Sequence, residues 1–110
     1  MSKNNRLKTQ LEKLGKEIPQ IMNSFFKLNT EAGKEGALTF KIKALIAVAL
    51  AVGLRCEFCT RFHLPAAIEA GATRKEILEA AGVSITMAGG PALTFTAAVL
   101  LEELDRLGVN

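Results

Sequence analysis

The sequence predicts an all-α fold, and three features of it carry that expectation. Apolar residues recur at i, i+3, i+4 and i+7 along most of the 110 residues. These stretches are bounded by helix punctuation: proline near starts, threonine as a cap, glycine at ends. No run alternates apolar and polar residues around a turn dipeptide, so strands are not expected. The expected architecture is a single-domain helical bundle over residues 1–110 with about six helices and no internal repeat.

Arg6 to Leu14 reads as a first helix, with Leu7, Leu11 and Leu14 on one face and an end at Gly15. Ile18-Pro19 opens the second, because proline is tolerated in a first turn. Its apolar stripe runs Ile18, Ile21, Met22, Phe25, Phe26 and Leu28. Gly33, Gly36 and the charges between them form a loop. Thr39 caps a third helix that extends to about Leu54. Its run from Ala44 to Val52 is apolar all round, which predicts a central position, and Gly53 ends or bends it.

A fourth helix spans about Cys56 to Ala70 and closes at Gly71 as the residue after its C-cap. Thr73-Arg74-Lys75-Glu76 has the capping-box spacing and starts a fifth helix carrying Ile77, Leu78, Ala81, Val83 and Ile85. Gly89-Gly90-Pro91 breaks the chain. A last helix then continues through Phe95, Val99, Leu100 and Leu104 to Leu107 and ends at Gly108. The segment Ala80–Leu101 holds no charge and is long enough for a bilayer. The Gly-Gly-Pro break and its serine and threonines instead predict two buried helices meeting at a turn, and no membrane association.

Composition narrows the function further. Hydrophobic residues make up 49% of the chain and aromatics 5%. A body this small has little interior for so much apolar side chain, so a homo-oligomer is expected. Residues 1–43 carry nine Lys/Arg against four Asp/Glu, and residues 44–110 five against seven. Glu12 and Glu17 interrupt the N-terminal bases, and there is no Tyr or Trp to stack on bases. A solvated helical face explains them, and nucleic acid is not an expected partner. The N-terminus shows no signal-peptide apolar core, which gives a cytoplasmic expectation.

Both cysteines and the one histidine lie in Cys56-Glu57-Phe58-Cys59-Thr60-Arg61-Phe62-His63. On a helix, positions 56, 59 and 63 project from one face. Two cysteines and a histidine fall short of a closed zinc site. Covalent haem attachment needs histidine directly after the second cysteine, where Thr60 stands. No metal and no cofactor is therefore expected. One reading is two small buried thiols with His63 as a polar cap. The other is redox chemistry. First-turn backbone N–H groups favour a thiolate, Arg55 and Arg61 add positive charge, and His63 lies one turn beyond Cys59. On that reading Cys59, within reach of the imidazole, attacks and Cys56 resolves. Phe58 and Phe62 would wall the site and suit an apolar, lipoyl-type partner, though both also fit a plain core.

The C-x-x-C-x-x-x-H motif at a helix start, following a long Ala/Leu/Ile/Val helix, resembles the alkylhydroperoxidase D-like and carboxymuconolactone decarboxylase family. Ala70-Gly71-Ala72-Thr73-Arg74-Lys75-Glu76-Ile77-Leu78-Glu79-Ala80 and Met87-Ala88-Gly89-Gly90-Pro91-Ala92 are similar to that family as well. The resemblance is strongest over residues 38–104. It implies an all-α subunit assembling into trimers or hexamers, and a thiol-dependent hydroperoxide reductase or disulfide oxidoreductase. It also implies roles: Cys59 attacks the peroxide, Cys56 condenses with the sulfenic acid to a disulfide, His63 relays the proton, and a dithiol reductant reopens the bridge.

The family's relay usually begins with a glutamate twelve residues before the first cysteine, which here is Ala44. Where the peroxidase branch also places a histidine before the second cysteine, this chain has Phe58. Glu57, Glu69 and Glu79 are the candidate substitutes for the glutamate. Two alternatives stand beside the peroxidase expectation: a redox-sensing or structural oligomer that lost the relay, and a carboxymuconolactone decarboxylase-like lyase needing neither cysteine.

Overall fold

A computed structural model describes residues 3–110, all described secondary structure being helical. Packing divides the chain into two units, one ending at Lys34 and one running Glu35–Asn110.

The first unit holds α1 (Lys3–Glu17) and α2 (Pro19–Gly33). The break expected at Gly15 is not there, and α1 continues through it. A mid-helix glycine costs only about 1 kcal/mol against alanine, whereas a proline forces its predecessor out of the helical region. Ile18, before Pro19, accordingly sits at φ −130° and ψ 60°. Gly15 faces Met22, whose Cγ would lie 3.6 Å from an added Cβ. The apolar stripe expected on α2 exists, with Phe25 and Phe26 edge to face, but Ile21, Phe25, Phe26 and Leu28 are all exposed.

The second unit carries the core. Helix α3 (Phe40–Gly53) starts where Thr39 caps it, its hydroxyl accepting the Ile42 N–H at 3.2 Å. Helix α4 spans Glu57–Glu69 and α5 spans Arg74–Ala88. Both pack against α3, which is central as expected. It is not enclosed, however. Ala44, Val48, Ala51 and Val52 are buried, while Ile42, Ile46, Leu50 and Leu54 form an exposed row on the other side. An added Cβ on Gly53 would meet Ser84 at 3.8 Å, and the Ser84 hydroxyl donates to the Ala49 carbonyl.

Gly89 ends α5 at φ 75° and caps α6 (Gly90–Phe95). A π-helical turn (Thr96–Leu100) and α7 (Leu101–Arg106) follow with helical dihedrals at both joins, so the last predicted helix is one rod with a widened turn. Leu64, Ile77, Leu100 and Leu104 interlock with Val48 and Val52 to form the core. No helix among the described residues is long and apolar enough to cross a membrane.

Candidate functional site

The turn between α3 and α4 builds the site. Helix α3 ends in a Schellman arrangement: the Arg55 N–H reaches the Val52 carbonyl at 3.0 Å and the Cys56 N–H reaches Ala51 at 2.9 Å. The residue between, Arg55, adopts φ 55°, the left-handed conformation that glycine normally supplies. Cys56 thus closes one helix and caps the next. The expected helix start moves by one residue: Cys56 is the N-cap of α4, and Cys59 falls in its first turn.

Cys56 and Cys59 are joined by a disulfide, with Cα atoms 5.2 Å apart. The Cys59 N–H donates to Cys56 Sγ at 3.1 Å. Thr60, fully buried, ties the same turn by donating its hydroxyl to the Cys56 carbonyl at 2.9 Å. His63 is on the same helix, half-buried, with its ring edge to face against Phe62 at 5.1 Å. Burial holds its imidazole below the usual pKa of 6.5, because the desolvated cation loses hydration.

The sequence leaves Glu57, Glu69 and Glu79 as the candidates to partner that imidazole. Ala44, at the relay position, belongs to the apolar core. Glu57 pairs with Arg61 at 2.8 Å. Glu69 and Glu79 are exposed. Among the described residues no hydrogen bond or ion pair joins His63 to any carboxylate. Helix α3 itself contains no Asp or Glu.

Arg61 was expected to add positive charge to the thiols. Its guanidinium is instead engaged by carboxylates, Glu57 in the preceding turn and Glu103 on α7 at 3.5 Å. Glu103 is 4% exposed and is also gripped by Arg106, whose hydrogen bonds hold its carboxyl below the usual range. This network was missed in the sequence because Arg61 and Glu103 lie far apart in the chain. Phe58 and Phe62 stand at the surface rather than in the core, Phe62 being 60% exposed. Among the described residues no group of three or more His, Cys, Asp or Glu side chains is placed to hold a metal ion.

Residues 19–103 match the carboxymuconolactone decarboxylase family. The chain belongs to that family. A carboxymuconolactone decarboxylase family protein from Legionella pneumophila, solved in its apo form, shares the fold at a TM-score of 0.83 and 43% identity, covering 88% of this chain and 87% of that one. A Methanobacterium thermoautotrophicum protein of solved structure has a TM-score of 0.65 and 37% identity over 81% of this chain and 97% of its own. An uncharacterised protein of Cupriavidus necator is 36% identical over 83% of this chain and 80% of its own length. Uncharacterised protein 4 of the cox locus of Paracoccus denitrificans is 36% identical over 77% and 78%. Within this family the C-x-x-C pair at bonding distance fits a redox motif.

Proposed function

We propose that this carboxymuconolactone decarboxylase family member is a dithiol–disulfide oxidoreductase that reduces small hydroperoxides. The observation that carries the reading is the Cys56–Cys59 bridge at the head of α4, with His63 one turn further on the same helix. In the oxidative half-reaction the Cys59 thiolate attacks the distal peroxide oxygen. The O–O bond breaks, the alkoxide takes a proton to leave as an alcohol, and Cys59 becomes a sulfenic acid. Cys56 then attacks that sulfur and expels hydroxide, which leaves as water, forming the bridge. A dithiol reductant of lipoyl type returns two electrons and reopens it.

His63, one turn beyond Cys59 on the same helix, is the group assigned to accept the Cys59 proton, and burial lowers its pKa. The reading includes a cytoplasmic setting and a homo-oligomer, trimer or hexamer. The exposed row of Ile42, Ile46 and Leu50 on α3, with Leu54 just past its end, supports the latter as a face a second copy would cover. Peroxide-dependent loss of two thiols, followed by mass spectrometry, tests the activity. Wild type should lose both with release of alcohol, Cys59→Ser should retain its one thiol, and thiols that stay reduced under excess peroxide defeat the reading.

A second reading is favoured by Ala44: a redox-sensing oligomer with little turnover of its own. General-base assistance is worth about two to four orders of magnitude, and the imidazole here works without its carboxylate. Ala44→Glu separates the two readings. Turnover that rises by about tenfold or more would show that the lost relay limits catalysis. Activity that survives removal of both cysteines would point to a lyase instead.

A further inference from the structure

The two sulfurs of the bridge sit in different electrostatic settings. Cys56 Sγ accepts the Cys59 N–H at 3.1 Å, one of the first-turn donors that a helix cannot satisfy internally. The Cys56 backbone is fixed on both sides, its N–H bonded to Ala51 and its carbonyl accepting the Thr60 N–H at 3.0 Å. Negative charge arising on Cys56 therefore meets a donor already in place and the positive end of the α4 dipole. Among the described residues no hydrogen bond reaches Cys59 Sγ. The surrounding charges leave this asymmetry standing. Arg55 precedes Cys56, Glu57 follows it and pairs with Arg61, and Arg61 is drawn also to Glu103. Helix α3, packed against α4, carries charge only at Lys41 and Lys43 near its start. Burial lowers the His63 pKa, and among the described residues no hydrogen bond joins its ring to either sulfur.

We infer that the bridge is polarised, so that an incoming thiolate attacks Cys59 Sγ and Cys56 departs as the thiolate held by the Cys59 amide. The attacking sulfur of the dithiol reductant bonds to Cys59 as the Sγ–Sγ bond breaks, and the electron pair of that bond stays on Cys56. The reductant's second thiolate then attacks its own first sulfur, leaves as a cyclic disulfide, and releases Cys59. Two electrons have passed to the cysteine pair, and the two protons of the dithiol go to solvent or to the released thiolates. Cys59 is then the sulfur the reductant meets, and Cys56 is the sulfur on which the released charge is held. The inference rests on the dithiol reading above, and its test does not use peroxide, so the two can fail separately.

Reduced wild-type protein is exposed briefly at pH 6 to iodoacetamide below one equivalent, and the singly labelled species is sequenced by tandem mass spectrometry. Cys56 should carry at least about threefold more label than Cys59, and the pH dependence of the single-cysteine variants separates thiolate character from access. The lone thiol of Cys59→Ser should likewise keep its reactivity to lower pH than the lone thiol of Cys56→Ser. Oxidised wild type treated with glutathione and quenched with N-ethylmaleimide should carry glutathione on Cys59 and maleimide on Cys56. Equal labelling, a label on Cys59, or glutathione found on Cys56 overturns the inference.

Discussion

The chain turns twice between α3 and α5, and the two turns solve the same problem with different residues. After α4, Gly71 takes the left-handed conformation at φ 94°, and the Ala72 N–H reaches back to Ala67 at 3.0 Å. Thr73 then caps α5, its hydroxyl accepting the Glu76 N–H at 3.1 Å while the Glu76 carboxylate accepts the Thr73 N–H at 2.8 Å. After α3 the hydrogen bonds are arranged alike, but Arg55 stands where glycine would be relaxed. A cysteine sulfur stands where a hydroxyl would cap, and no spacer separates closing one helix from opening the next. A non-glycine residue in that conformation costs about 1–2 kcal/mol. The turn after α4 follows stability rules throughout. The turn after α3 departs from them at the two residues that set the position and chemistry of the sulfur, which is where a functional site is expected to depart.

Exchanging the caps should break the comparison most sharply. Cys56→Ser should abolish reversible disulfide formation completely, while serine keeps the N-cap and the thermal midpoint of the reduced protein stays close to wild type. Thr73→Ala should do the reverse, costing about 1 kcal/mol in denaturant unfolding with thiol oxidation unchanged. The left-handed residues give the next effect. Gly71→Ala should destabilise by about 1–2 kcal/mol, and Arg55→Gly should stabilise by about 0.5–1 kcal/mol, both read from urea midpoints. An Arg55→Gly variant no more stable than wild type would mean that Arg55 is not strained.

Acid should separate the turns more weakly. The Thr73 N–H first, and Lys41 second, hold the Glu76 carboxyl below its usual value. A depressed carboxyl contributes stability above its unfolded value and loses it as pH falls through the folded one. Amide exchange in the first turn of α5 should therefore quicken below the ordinary carboxylate range. His63 has a lowered value too, but as a base it binds its proton more readily in the unfolded chain. Its destabilisation starts higher, as pH falls below about 6.5. As the one histidine it gives an unambiguous proton NMR titration, and a midpoint at or above 6.5 would contradict the burial seen here.

What the sequence disclosed follows the same division. Thr39, the Thr73–Glu76 box, Gly71 and Gly108 all depend on neighbours within one turn, and all are where local rules put them. Gly53 was the visible end signal for α3, yet the turn itself is made by Arg55, because nothing in an arginine announces a positive φ. Gly15 drew the eye away from Pro19, the stronger breaker. Pro65 lies inside α4, and the turn at Thr96–Leu100 widens to π geometry, neither of which apolar periodicity registers. The pairing of Arg61 with Glu103 needed the packing of α7, which no local pattern contains.

That pairing bears on what a change of redox state can do to the molecule. One end of α4 is stitched to α3 through the Cys56 N–H on the Ala51 carbonyl, and its second turn is fastened to α7 through Arg61 and the buried Glu103. On the dithiol reading, a segment moored at both places would make or break its sulfur–sulfur bond chiefly by turning two short side chains. On that same reading, such a part would serve as a reagent carried on a handle.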